Sequence, residues 1–330
     1  MDHGAWPFLT TQLYIEQSGD IQFLLETQNY FKDPQVERGT AKDEIWTPSE
    51  GNLLLTENKE AYKGTIIEHL LIQHLTAFFD VGEHNNLKLR GADWNDALDM
   101  ASDRGESVAF SALYAGNMMD IAKLLRVLRE RNGQDKLQIA EELQTLLVSD
   151  TSVFEDVQKK QAILETYCKQ VNRMVTGRKV AINIESLISD LEAKANWMIS
   201  HIRKQEWITN EAGYSWYNGY YDNHGRRVEG DHENGTRMML TGEVFTIMKE
   251  VATDDQVKEI IKSADTYLFD ETVGGYKLNS DFKEVKTDLG RMFGFAYGHK
   301  ENGAVFSHMA TMYANSLYQR GFAREGYKVI

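Results

Sequence analysis

Cysteine and proline are almost missing from this chain. One cysteine in 330 residues, Cys168, excludes an internal disulfide, and its place in the helical stretch "ETYCKQ" makes it a packing residue rather than a redox centre. The three prolines, Pro7, Pro34 and Pro48, all lie near the start, so beyond residue 48 no missing N–H interrupts long helices. No apolar run approaches the thickness of a bilayer, and "MDHGAWPFLT" lacks the basic start and apolar stretch of a secretory signal, which points to the cytoplasm. Positive charge is also short. With 36 basic against 50 acidic residues, the formal charge of −14 argues against nucleic acid or an anionic membrane as main partner, whereas neutral polyols such as sugars are unaffected. A small anion would need local donors, so clustered arginines and histidines become informative.

What is present is apolar and periodic. The 42% apolar and 11% aromatic content suffices for one large or two ordinary cores. Apolar residues recur at spacings of three and four over 65–79, 108–130, 153–174, 180–202, 237–252 and 304–322, predicting amphipathic helices there. Two stretches break the pattern, "EAGYSWYNGYYDNHGRRVEG" (211–230) and 273–303, both dense in Gly, Tyr, Asn, Asp and His. Such mixtures combine turn-permissive backbone, stacking faces and hydrogen-bonding groups, and loops of this kind carry function at the rim of a helical scaffold. The charged 133–205 region reads as a helical hairpin insertion. No glycine-rich nucleotide fingerprint follows a strand pattern. The expected fold class is therefore all-α, a toroid or barrel of paired helices rather than a doubly wound sheet.

The stretch "LRGADWNDALDM" (89–100) gathers three carboxylates and an amide around one tryptophan. Two readings compete. In the first, Asp93 caps a helix and Asp96, three residues on, reaches back to the cap's amide. In the second, Asp96 is a general acid, whose pKa must then rise from near 4; a helix N-terminus opposes that rise, while burial beside the Trp94 indole and a second negative charge in the site favour it. Elsewhere, His69 and His74 on an apolar helix read as core or groove residues. Asp231, His232, Glu233 and Arg237 read as a solvated turn or a subsite edge, and Arg226 and Arg227 as solvent-facing residues able to help an anion. No cluster has zinc or calcium spacing, so no metal is predicted.

The residues around this stretch resemble glycoside hydrolase family 94, which includes cellobiose, chitobiose and 1,2-β-oligoglucan phosphorylases. "GADWNDALDMA" is similar to the family's GDWNDGM motif. "DHGAWPFLTTQLYIEQSGD" resembles its helix ending in an Ile-Glu-x-x-Gly-Asp turn, and "GESVAFSALYAGNMMDIAKLL" the helix after the acid. "WYNGYYDNHG" resembles its Trp-Tyr-x-x-Tyr-x-Asp-x-Gly loop, and "YGHKENGAVFSHM" its Lys-Glu-Asn-Gly…His segment. The matches come in family order from residue 2 to about 328. The resemblance implies an (α/α)6-barrel catalytic domain that transfers a glucosyl unit from a β-linked gluco-oligosaccharide or disaccharide to inorganic phosphate, by inversion and without a cofactor. It makes Asp96 the acid, places Trp94, Asp93, Tyr297 and Glu301 at the sugar, and places His308 and His299 at the phosphate. Phosphate is itself a nucleophile and replaces the base of an inverting hydrolase, so one carboxylate suffices.

The match starts midway through the family's catalytic domain and stops before its end. A fragment with very low phosphorolytic activity of its own is expected. Helix faces left uncovered would call for a homo-oligomer or a complementing chain. The rival functions are an inverting β-glucosidase on the same barrel, with Glu301 or Glu233 activating water, and a non-catalytic sugar-binding module.

Overall fold

Nine α-helices form among the residues that the computed structural model describes, 2–33 and 41–330: α1 Ala5–Ser18, α2 Ile66–Phe79, α3 Val108–Asn132, α4 Val157–Gln170, α5 Ile184–Gln205, α6 Leu240–Met248, α7 Asp254–Tyr267, α8 Ser307–Gln319 and α9 Ala323–Val329. Pro34 lies outside the described residues. Local chemistry sets several ends. Thr65 caps α2 by accepting from the Glu68 amide, and Asp156 caps α4 through the amides of Gln158 and Lys159. Thr253 and Gln256 form a reciprocal capping box on α7. Gly19, at φ 72°, closes α1 by returning its N–H to the Ile15 carbonyl, a conformation that costs glycine little.

Helices dominate the fold, as expected, and short strands accompany them. Among the described residues, fifteen strands of two to five residues pair into small ribbons, none wider than three strands. The longest pair runs through the region expected to be a helical hairpin: Lys136–Ala140 is antiparallel to Lys179–Asn183, with Leu137 opposite Ile182 and Ile139 opposite Val180. That segment is a strand pair enclosing α4, with α5 beginning only after the second strand. Among the described residues, no helix is long and apolar enough to cross a membrane.

The chain divides into two compact units, and α3 and α5 have residues in both. The first comprises Asp2, Val81–Gly116 and Ala195–Ile330. Its α6 is buried from Leu240 to Ile247, as a helix apolar all round must be. A Cβ on Gly242 would stand 3.0 Å from the Gly219 Cα, so glycine is what permits this approach. The same core contains two carboxyls. Glu229 accepts from the amides of Gly219 (2.7 Å) and Met239 (2.8 Å) and from the Trp216 indole (3.2 Å), and Glu243 accepts from the Tyr217 amide (3.2 Å). Burial pushes Glu229 up to about 8 against those donors; burial and then the charge of Glu229 push Glu243 well above the carboxylate range.

The second unit comprises His3–Asp80 and Asn117–Lys194. Phe8, Leu70, Leu71, Phe78, Phe79 and Phe154 are fully or almost fully buried there. His74 is a core residue, donating from Nδ1 to the Leu70 carbonyl (2.7 Å) with its ring edge-on to Phe8. His69 stacks on Tyr30 with ring centroids 3.6 Å apart. Lys160 is buried with its Nζ 4.0 Å from the Phe78 ring centroid, and burial lowers its pKa well below the usual range.

Candidate functional site

All the sequence-derived site residues fall in the first unit. The stretch 89–100 contains no helix; α3 begins only at Val108. Asp93 is therefore no helix cap. It is 2% exposed, its Oδ1 accepts from the Asn95 amide (2.9 Å) and its Oδ2 from the Ser107 hydroxyl (3.0 Å). Burial pushes it up to about 6 against those hydrogen bonds, and its charge in turn helps to raise the buried phenol of Tyr220. Both carboxylate oxygens are thus committed to shaping the loop. The backbone there is unusual, with Arg90 at φ 55° and Ala92 at φ 156°, conformations that non-glycine residues hold only when their surroundings impose them.

Asp96 is exposed, and no hydrogen bond or ion pair reaches it among the described residues. The indole of Trp94 does not shield it from water, as the acid reading had expected; the burial falls on Asp93 instead. Its position is nonetheless fixed, because the chain on either side of it is anchored. Asn95 accepts from the Ala97 amide (3.1 Å), and its amide group lies 3.4 Å from the Met292 sulfur. The Ala97 carbonyl accepts from Met292 N–H (3.1 Å), Met100 N–H donates to Leu289 (3.2 Å), and Asp99 pairs with Arg291. A Cβ on Gly290 would collide with the Ala97 carbonyl and come within 2.6 Å of the Leu98 Cα. The 93–100 loop therefore lies along residues 289–292.

Trp94 meets His308 directly across 214 residues of sequence. Its Nε1–H donates to His308 Nδ1 at 2.7 Å, and Phe306 packs edge-on to the indole at 6.1 Å. Because an indole only donates, Nδ1 must accept, which puts the ring proton of a neutral His308 on Nε2. His308 is exposed in the first turn of α8.

The remaining candidates share one loop. The half-buried Tyr297 donates its hydroxyl to the Asn279 carbonyl (3.2 Å), with its ring closing over Gly303. The buried Asn302 accepts from Asn279 Nδ2 (3.1 Å) and donates to the Phe295 carbonyl (2.8 Å), while Asn279 Oδ1 takes the Gly303 amide (2.8 Å). This clamp leaves His299 exposed and Glu301 half-buried at the tip. Among the described residues, no hydrogen bond joins Tyr297, His299 or Glu301 to Asp96.

Residues 179–328 match the family model described as "Glycosyl hydrolase 94 superfamily, catalytic domain". Over 313 residues the chain is also 22% identical to solabiose phosphorylase of Paenibacillus borealis, an alignment covering 94% of this chain and 29% of that protein. The chain thus spans less than a third of the length of that relative. The resemblance to family 94 read from the motifs is borne out.

Within the segment that the family model matches, the Tyr-rich loop is more tightly built than its composition suggests. Burial alone would raise Asp222, yet Lys286 (2.7 Å) and Arg226 (3.1 Å) hold it down to about 2. Arg226 and Lys286 also bind Asp288. Arg237 is 5% exposed, paired with Glu284 at 3.0 Å and lying over the Phe282 ring, so it is not part of a solvated turn. Lys286, Asp288 and Asn279 have no local sequence signature; they matter because of partners far along the chain. Among the described residues, no group of three or more His, Cys, Asp or Glu side chains gathers in a way that could hold a metal ion.

Proposed function

We propose that this chain carries the acid and phosphate elements of an inverting glycoside phosphorylase acting on a β-glucoside. The observation that supports it most is the 2.7 Å bond between Trp94 and His308, which joins the Trp-Asn-Asp loop to the end of the Lys-Glu-Asn-Gly…His segment. In this reading, phosphate sits against His308 Nε2–H and the first-turn amides of α8, where backbone donors and the helix dipole favour an anion despite the overall negative charge. A phosphate oxygen attacks the anomeric carbon, the glycosidic C–O bond breaks, and Asp96 gives its proton to the departing oxygen. The products are α-glucose 1-phosphate and a shortened sugar. The exposure of Asp96 suits this sequence of events. The carboxyl has to be reachable by the glycosidic oxygen, and the bound dianion disfavours a second negative charge beside it. Trp94 offers its ring face, and Tyr297 and Glu301 their loop, to the sugar, within the (α/α)6-barrel architecture of the family.

Two measurements test the reading. Inorganic phosphate binding, followed by phosphorus NMR, should weaken roughly tenfold in His308→Ala, the loss of one charge-assisted hydrogen bond. Incubation with β-linked glucobioses or sophoro-oligosaccharides should release α-glucose 1-phosphate, at the very low rate expected of this chain, only when phosphate is present, and Asp96→Asn should abolish the release. Free glucose formed equally with and without phosphate would instead establish a hydrolase.

A further inference from the structure

The second unit holds a cavity of about 440 Å³ that plays no part in the proposed phosphorolysis. Aromatic rings dominate its wall: Tyr30, Phe31, Tyr62, His69 and Tyr167. Tyr30 and Tyr62 both donate their hydroxyls to the buried Glu68, at 2.8 and 3.1 Å, so their polar ends are already engaged and they contribute to the cavity chiefly as ring surface. Among the polar residues of the wall, Glu142 is buried. It lines the cavity at 6% exposure, with Oε1 accepting from the Thr176 amide (2.8 Å) and hydroxyl (2.9 Å). Its Oε2 is buried and has no hydrogen-bond partner. A buried carboxylate oxygen left without a donor is unfavourable, and whatever fills the cavity should bring one.

The lining decides what kind of donor fits. A sugar presents donors and acceptors in similar number, whereas the described residues of this wall are poor in donors and include no lysine or arginine; Asp33 adds a second carboxylate. An ammonium group presents donors only, together with a positive charge that carboxylates and the faces of tyrosine and phenylalanine attract. The protein already uses one of these rings in that way: Lys179 Nζ stands 5.4 Å from the Tyr62 ring centroid while donating to the Lys63 carbonyl. Ile72, Val171 and Val175 provide apolar wall for an attached hydrocarbon chain.

We propose that this cavity binds a small primary alkylammonium, with its N–H groups on Glu142 Oε2 and its alkyl chain among the rings. The test is calorimetric titration of the full chain with n-butylammonium chloride. 1-Butanol serves as the neutral isostere and tetramethylammonium as a cation without N–H, all at fixed ionic strength. Saturable butylammonium binding, at least tenfold tighter than either control, is expected. Glu142→Gln keeps an acceptor for Thr176 but removes the charge, and should weaken binding at least tenfold; Phe31→Ala, at a residue 80% exposed and so tolerant of change, should weaken it severalfold. The proposal is overturned if butylammonium binds no tighter than 1-butanol, if tetramethylammonium matches it, or if both variants bind as tightly as the parent.

Discussion

Replacing Asp93 by asparagine should remove a specific pH dependence from the stability of this protein. The carboxyl is 2% exposed and is pushed from its ordinary 3.8 up to about 6 by burial. Its proton is therefore held more tightly in the folded than in the unfolded state. Below about 3.8 both states carry it, above about 6 neither does, and in between only the folded state does. Stability must then fall as pH rises through that window, by about 1.4 kcal/mol per pH unit and about 3 kcal/mol in all. No discount for solvent screening applies to a group so shielded. Asparagine keeps an acceptor for the Asn95 amide, and the Ser107 hydroxyl can rotate to accept from the new amide. The assay is urea denaturation of parent and variant at intervals from pH 4 to 7. The parent should lose about 3 kcal/mol relative to the variant, with most of the change complete by pH 6. Parallel curves within about 1 kcal/mol would refute the claim that burial holds the Asp93 proton.

Glu243→Gln acts on the buried Glu229–Glu243 pair: since the folded state holds the Glu243 proton well above its ordinary value, the variant should gain on the parent as pH rises above the usual carboxylate range, read by the same denaturation series, and parallel curves would refute it. Gly290→Ala should destabilise the protein by about 1–3 kcal/mol, because the φ of −176° suits alanine but the added carbon meets the backbone of Ala97 and Leu98; unchanged thermal unfolding would contradict the packing of the acid loop. Trp94→Phe keeps a ring face for sugar but deletes the donor to His308, so KM for phosphate should rise roughly tenfold with a much smaller change in KM for sugar. An unaltered KM for phosphate would remove Trp94 from any role in positioning His308.

The helices were legible where apolar spacing and caps agreed. α2 begins at Ile66, one residue after the Thr65 cap, and α3 occupies the stretch its periodicity marked. α7 is absent from the six predicted segments although its Thr253 to Gln256 capping box is written in the sequence, so there a readable signal was passed over. The strands are a different matter. A two-residue strand such as Leu55–Thr56 pairs with Met174–Val175, and Lys136–Ala140 with Lys179–Asn183; runs this short have almost no periodicity, and partners this distant leave no turn signature between them. In the 133–205 region both helices, α4 and α5, follow their apolar spacing, while the β pairing that encloses α4 leaves no such signal.

The site divides in a similar way. The motif order singles out residues around Trp94, but not how they are exposed, because the hydroxyl donor to Asp93 and the contact that holds Trp94 come from Ser107 and His308, outside the stretch. A helix would have set Asp93 and Asp96 on one face, three residues apart, with both at its N-terminus. The chain instead turns at Asn95, whose own side chain accepts from the Ala97 amide, and the two carboxyls part company. One is sealed beneath the loop and fixes its shape; the other stands outside with the chain on both sides pinned. A group that must hand a proton to an arriving ligand has to be reachable, and a group that fixes a strained loop has to be shielded, so one residue cannot do both. Two aspartates separated by a turn can, and under the proposed function that division of labour would be a property of the loop's path rather than of its composition.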